Sequence, residues 1–211
     1  MKQFKIRASA VSDIMASPKK PRLISAGAET YCQKWLKEQL YGMRIDHSNK
    51  YTERGINLED QSIELLSTYL DTPLKKNEEF FEGDYITGTP DLLTDDRVID
   101  IKTSWSFETH PLFSEVIPSK GYMYQIQAYM HLTGLKKGSV CYMLLDNPEL
   151  EHYYDGIGQA LRMKRFDFEY DESIIEKINS KVSDCRDYIH ELLNADLLEA
   201  MRKEEEKDLG F

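Results

Sequence analysis

The sequence predicts an α/β domain, in which a central mixed β-sheet has helices on both sides and a candidate functional site at one edge. Two observations lead to this fold class. Segments with apolar residues at helical spacing alternate along the chain with short runs typical of strands. Glycines and prolines mark turns between them. With 211 residues and no repeat or low-complexity linker, we expect one domain, 1–211, ending in a flexible acidic tail from about residue 200.

The predicted elements follow one another in a simple order. Helices are expected near residues 11–16, 26–41 and 55–70, from 122 to about 134, and over most of 171–208. Strands are expected near residues 78–82, 85–88, 97–103, 139–145 and 161–170. The strand at 97–103 and the helices on either side of it in the sequence carry the residues that suggest a chemical function.

The strand at 97–103 contains the most informative motif. Gly88-Thr89-Pro90-Asp91 is predicted to form a turn, and Asp100-Ile101-Lys102 begins nine residues after Asp91. Because side chains alternate along a strand, Asp100 and Lys102 share one face, and Ile101 lies on the other. We therefore expect the apolar face to enter a core and the acid and base to face a cleft.

Two aspartates and a lysine at this distance can converge on one divalent metal ion. Carboxylate oxygens suit Mg²⁺ or Mn²⁺, with the other coordination positions left to water and substrate phosphate. Such an ion lowers the pKa of a bound water, and Lys102 would orient this water or offset charge on the phosphate. The alternative is an edge strand with a surface Asp–Lys pair, because such triplets occur often by chance.

Two predicted helices carry further polar residues that are candidates for the same site. Glu59 falls in the apolar stripe of the helix at 55–70, where a carboxylate needs a compensating cation. Alternatively, it lies at the edge of the stripe in the first helical turn, where acids are tolerated. Gln125 and Tyr129 are four residues apart on another helix and share a face. They suit a phosphate or a metal-bound water, or they are ordinary polar residues of a half-buried helix.

The order of these motifs resembles the PD-(D/E)XK nuclease superfamily: a helix with Glu, then Pro-Asp, then Asp-x-Lys, then a helix with Gln-x-x-x-Tyr. Within it, the chain resembles the lambda exonuclease and RecB-type (YqaJ-like) branch. Segments 6–15, 54–59 and 122–127 extend the resemblance, which spans about residues 5 to 135. It implies a restriction-endonuclease-like core and a deoxyribonuclease that depends on Mg²⁺ or Mn²⁺.

The resemblance implies a metal-binding and catalytic set. Asp91, Asp100 and the carbonyl of Ile101 would bind the ion, and Glu59 would join them directly or through water. Lys102 would be the catalytic lysine. The chain has Asp rather than Glu at position 100, so the shorter side chain requires a closer metal.

The resemblance also implies contacts with the substrate. Gln125 would hold the attacking water or the terminal phosphate, and Tyr129 completes the same helical face. Ser9 would contact a 5′-phosphate, and Arg7 and Arg54 are further substrate-binding candidates. No basic residue before Ser9 aligns cleanly with the arginine that grips the end phosphate in lambda exonuclease.

The net charge argues against a DNA partner, whereas the distribution of charge along the chain allows one. A net charge of −10 argues against nucleic-acid binding at first sight. However, residues 1–54 carry eleven Lys/Arg against five Asp/Glu, and the remainder is strongly acidic. DNA responds to the local field, so Lys19-Lys20-Pro21-Arg22 is a candidate backbone contact, with a solvated loop as the alternative.

Other cofactors and a membrane location are not expected. Cys32, Cys141 and Cys185 are far apart and odd in number, which favours neither disulfides nor the four-cysteine iron–sulfur cluster of some RecB-type nucleases. No run of eighteen apolar residues and no signal-peptide core occurs. We expect a cytoplasmic protein of a bacterium or a phage-infected host cell.

The expected function is an exodeoxyribonuclease that degrades double-stranded DNA from its ends in phage-type recombination or repair. The 5′ to 3′ direction, a single-strand annealing partner and a homotrimer follow from the resemblance alone. Two alternatives stay open: a structure-specific or restriction-type DNA endonuclease, and a catalytically silent DNA-binding or assembly protein on a nuclease fold.

Overall fold

The computed structural model describes residues 2–45 and 49–194, and all structural statements refer to these residues, without the side chain of Thr52. The expected acidic tail and the last part of the C-terminal helix lie outside them. The helices are α1 (Val11–Ile14), α2 (Ala26–Tyr41), α3 (Lys50–Asn57), α4 (Glu59–Leu70), α5 (Lys120–Thr133) and α6 (Glu172–Asn194). The strands are β1 (Ile6–Arg7), β2 (Phe81–Glu82), β3 (Ile86–Gly88), β4 (Leu92–Leu93), β5 (Arg97–Ser104), β6 (Lys137–Leu144) and β7 (Met163–Glu169).

The strands form two mixed sheets. The larger has the order β4-β5-β6-β7, with β5 and β6 parallel and the outer pairs antiparallel. The smaller has the order β1-β3-β2, with β1 parallel to β3. The predicted α/β class with a mixed sheet and flanking helices is confirmed. The division into two sheets was not predicted, because β1 is too short to show an alternating pattern.

Strand β5 separates two hydrophobic cores. Val98 belongs to the core formed with α5, α2 and α6, whereas Ile99 and Ile101 pack against Ile63 and Leu66 of α4. We expected only one face of this strand to be covered, and that expectation is wrong. Parallel pairing with β6 places β5 inside the sheet, where helices cover both faces.

The helices follow the predicted pattern with one correction. Helix α2 has the expected bounds because Ser25 Oγ accepts a hydrogen bond from Ala28 N at 3.2 Å and Gly42 ends the helix with φ +62°. The single helix expected at 55–70 is instead two helices, α3 and α4, which break at Leu58. Glu59 is therefore the first residue of α4, which agrees with the first-turn alternative.

Two further properties concern the helices and the thiols. None of the described helices is both long enough and apolar enough to cross a bilayer. Cys32, Cys141 and Cys185 are buried free thiols.

Candidate active site

The two aspartates meet because β4 and β5 are antiparallel. Leu92 lies opposite Ile99, and the same register brings Asp91 opposite Asp100. Asp91 Oδ2 accepts a hydrogen bond from the backbone N–H of Ile101 at 2.7 Å. This bond fixes the turn that contains Asp91 to the central strand.

Asp100 is fully buried beneath α5. Its Oδ1 accepts a hydrogen bond from Gln125 Nε2 at 2.9 Å, and its Oδ2 lies 2.8 Å from Lys102 Nζ. Beyond this ion pair, Oδ2 has no hydrogen-bond partner in the part of the chain that the structure describes. Gln125 Nε2 also lies 3.2 Å from the hydroxyl of Tyr129, so these two residues share a face as expected.

Lys102 is held from two directions. Its ammonium pairs with Asp100 and lies 4.7 Å from the ring centroid of Tyr122, a cation–π distance. Burial alone would lower the pKa of Lys102, but the charges of Asp100 and Asp91 raise it above its ordinary value. Lys102 is therefore a cation, suited to offset negative charge and unsuited to act as a neutral base.

The negative charge of the buried Asp100 and the half-buried Asp91 exceeds the positive charge of the one lysine beside them. Burial, reinforced by the charge of Asp100, raises the pKa of Asp91 to about 7, although Lys102 and the N–H of Ile101 oppose the rise. Burial also raises the pKa of Asp100 despite Lys102. A further cation would relieve this imbalance.

A divalent ion fits the oxygen atoms at this position. Mg²⁺ is commonly held by one or two protein carboxylates together with water and substrate phosphate. Asp91 and Asp100, with the carbonyl of Ile101, provide such a set. Over residues 2–45 and 49–194, however, no three His, Cys, Asp or Glu side chains gather closely enough to hold an ion. The ligand roles remain predictions.

Glu59 pairs with a lysine that the sequence did not point to. Its Oε2 lies 2.7 Å from Lys76 Nζ. Lys76 forms an isolated β-bridge with Leu92, and Asn77 N donates a hydrogen bond to the Asp91 carbonyl at 2.8 Å. Lys76 is thus the compensating cation that a half-buried Glu59 requires. No periodic pattern marks this segment, so spacing gave no signal for it.

The predicted substrate-binding residues lie in different surroundings. Arg7 and Ser9 are exposed, and Ser9 belongs to a short 3₁₀ turn that packs against α5. Arg54 donates from Nη2 to the carbonyls of Leu145 and Asp146 at 3.2 and 2.8 Å. Arg54 therefore anchors the loop after β6, and its substrate role remains a prediction, as do those of Arg7 and Ser9.

Solved structures share this architecture. A phage-related exonuclease from Haemophilus somnus 129PT is 28% identical, with a TM-score of 0.80 over 91% of this chain and 96% of that chain. The alkaline exonuclease LHK-Exo from Laribacter hongkongensis is 18% identical, with a TM-score of 0.72 over 96% and 94%. Its complex with dAMP gives 20% identity and a TM-score of 0.70 over 94% of each chain. No protein-family profile and no curated protein matches the chain.

The fold is that of a nuclease, and Asp100 and Lys102 lie on the central strand of its larger sheet, with Asp91 directly before the neighbouring strand β4. More particularly, the chain is similar to a phage-related exonuclease and shares its fold with an alkaline exonuclease, which confirms the predicted resemblance to the lambda exonuclease and YqaJ-like branch. The similarity supports a nuclease enzyme of the exonuclease family.

Proposed function

We propose that the chain is a Mg²⁺-dependent exodeoxyribonuclease that degrades duplex DNA from its ends in the 5′ to 3′ direction. One observation carries the proposal: the half-buried Asp91 and the fully buried Asp100 lie opposite each other, and Asp100 contacts the Lys102 ammonium and the Gln125 amide. In a fold shared with exonucleases, this arrangement supports metal-assisted hydrolysis of a phosphodiester bond.

The residues divide the chemistry between them. Asp91, Asp100 and the Ile101 carbonyl would hold Mg²⁺, which when bound polarises the phosphate and lowers the pKa of a water molecule. Lys102 offsets the charge that builds on the phosphate oxygens in the transition state. Gln125 donates from its amide nitrogen to Asp100, which leaves its Oε1 to accept a hydrogen bond from the attacking water.

Tyr129 supports Gln125. Burial, reinforced by the charge of Asp100, raises the pKa of Tyr129, so the phenol keeps its proton. The hydroxyl accepts from Gln125 Nε2 and retains its own proton for donation.

The resemblance also suggests a cellular role, a location and a partner for the protein. We infer a role in phage-type recombination or repair, in the cytoplasm, beside a single-strand annealing protein. We also infer a homotrimer, which mass measurement in solution tests directly: a monomeric mass at micromolar concentration would contradict it.

The test of activity uses linear duplexes labelled at either end, with and without a 5′-phosphate, and a covalently closed circle, all in Mg²⁺. We expect label release from 5′ ends, faster with the phosphate, and an intact circle. Chelation with EDTA should stop the reaction, and Asp100→Asn should lose degradation but retain DNA binding.

The other outcomes select the alternatives. Cleavage of the closed circle would favour an endonuclease. Binding without cleavage of any substrate would favour the catalytically silent DNA-binding protein. Release of label from 3′ ends would overturn the proposed direction.

A further inference from the structure

A large cleft opens between the N-terminal segment, α2 and the smaller sheet. Its volume is about 860 Å³. Arg7 and Thr87, which are paired in register on β1 and β3, form part of its wall. Thr87 precedes Asp91 by four residues, a span of at most about 14 Å. A chain-like ligand in the cleft is therefore within reach of the acidic site.

The cleft is positively charged in a protein whose net charge is −10. Five basic residues line it: Lys2, Lys5, Arg7, Lys34 and Arg44. The two acidic residues of the lining already have partners among the described residues. Glu82 pairs with Lys5 at 2.7 Å, and Glu38 Oε1 accepts a hydrogen bond from Ile45 N at 2.8 Å. Lys5 and Glu82 offset each other, which leaves four cations against the single charge of Glu38, and this excess of positive charge attracts a polyanion.

Aromatic rings lie among these cations. Phe80 is 60% exposed, and Tyr31 and Trp35 are partly buried. Phe4 contacts Trp35 edge-to-face at a centroid distance of 5.2 Å, which holds the indole in place. Cations along a groove with an exposed ring are the two features by which proteins bind single-stranded nucleic acid: the cations contact phosphates and the ring stacks on a base.

We propose that this cleft binds a single-stranded segment of nucleic acid, with Lys34 contacting a phosphate and Phe80 stacking on a base. A single strand is favoured over a duplex because the faces of paired and stacked bases are not available to a protein ring. If the chain is the proposed exonuclease, the cleft holds unpaired DNA that runs towards or away from the cleavage site, so this role rests on the proposed function.

The experiment measures binding separately from cleavage. Full-length protein carrying Asp100→Asn is titrated into a fluorescent twelve-nucleotide oligo(dT) in EDTA, and the dissociation constant is read from anisotropy at several salt concentrations. Lys34→Gln and Phe80→Ala are added in this background. Lys177→Gln, an exposed lysine on α6 outside the lining of the cleft, is the matched control for loss of one charge.

Each variant has a distinct expected effect. Lys34→Gln should weaken binding and reduce the slope of log Kd against log salt by about 0.7, the value for one phosphate contact to a single strand. Phe80→Ala should weaken binding about 5- to 150-fold, the range for one stacked base, without changing the slope. Lys177→Gln should match its parent. Thermal unfolding confirms that each variant is folded.

Other results would overturn the inference. Equal affinities for Lys34→Gln, Phe80→Ala and the control would show that the cleft is not the binding site. If Phe80→Ala lost as much affinity for a blunt duplex as for the single strand, the proposed preference for a single strand would be wrong. The binding measurement requires no cleavage, so it can be interpreted even if the protein proves not to be a nuclease. Likewise, the closed-circle test of nuclease activity does not depend on the cleft.

Discussion

The ammonium of Lys102 pairs with the buried Asp100 and lies over the ring of Tyr122, and these contacts fix it beside the position proposed for the scissile phosphate. We expect Lys102→Met to lower the maximal rate on linear duplex DNA by about 10²- to 10³-fold, because a preorganised charge at the transition state is lost. The KM for DNA should change little. Steady-state rates at saturating DNA test this, and thermal unfolding checks that the variant is folded. A loss smaller than tenfold would assign Lys102 a structural role.

The pKa of Asp91 links stability to pH. In the folded protein this pKa is raised to about 7, so the folded state keeps a proton that the unfolded chain releases near pH 4. Stability contributed by Asp91 is therefore present at low pH and is lost as the pH rises from about 4 to about 7. We expect Asp91→Asn to flatten this decline in urea unfolding in EDTA, and Mg²⁺ to restore wild-type stability at pH 8. Identical pH slopes for the two proteins would contradict this assignment.

The ion pair between Lys76 and Glu59 predicts competition with a metal ion. Removing the ammonium in Lys76→Met leaves Glu59 without its cation, so Mn²⁺ should bind more tightly to this variant than to the wild type. Calorimetric titration of Mn²⁺ in the absence of DNA measures the affinity directly. Because Lys76 is partly exposed, we expect at most about 1 kcal/mol loss of stability. Weaker Mn²⁺ binding would show that Lys76 does not compete for Glu59.

The site was predictable where its residues depend on local geometry. Asp91 lies in a predicted turn, and Asp100 and Lys102 lie on one predicted strand, so their proximity could be inferred from the sequence. Gln125 could be inferred because it shares one helical face with Tyr129. Lys76 was not predictable from spacing, since it reaches Glu59 through an isolated bridge to another strand.

At the scale of elements, close packing at Gly88 joins β3 to α5. A Cβ at this position would lie 2.8 Å from Tyr129 Cε1 and 3.1 Å from Ala8 Cβ, and neither atom belongs to a flexible side-chain end. We expect Gly88→Ala to destabilise the protein by about 1–3 kcal/mol through overpacking, as measured by urea unfolding. It should also lower activity by moving Tyr129.

The matched control is Gly55→Ala in helix α3. A Cβ there meets nothing within 4 Å, so we expect a gain of about 0.5–1 kcal/mol from helix propensity. A neutral Gly88→Ala would mean that α5 can shift away from β3 without cost.

The bounds of the elements show why some predictions succeeded. Helix α2 carries both of its end signals in the sequence, Ser25 and Gly42, and its bounds were predicted correctly. Leu58, where α3 and α4 break, is neither a glycine nor a proline, so no residue signal predicts two helices there.

The charge of the whole molecule predicts strong salt dependence. Most of the surface repels DNA, so binding relies on a limited set of cations in the first 54 residues. With about six phosphate contacts, affinity for a linear duplex should fall about 10³-fold between 50 and 200 mM NaCl. Initial rates at limiting DNA and constant Mg²⁺ measure this loss, and rates at saturating DNA are the control because they should change little. A flat salt profile would mean that few phosphates are contacted.

Strand β5 lies between two hydrophobic cores and carries Asp100 and Lys102. Loss of packing on either side of the sheet therefore reaches the proposed catalytic groups, so we expect activity to be lost when either core loosens. Activity on heating should disappear together with the global transition. Conversely, any substitution that tightens either core extends the temperature range over which the enzyme works, even from a position far from the DNA.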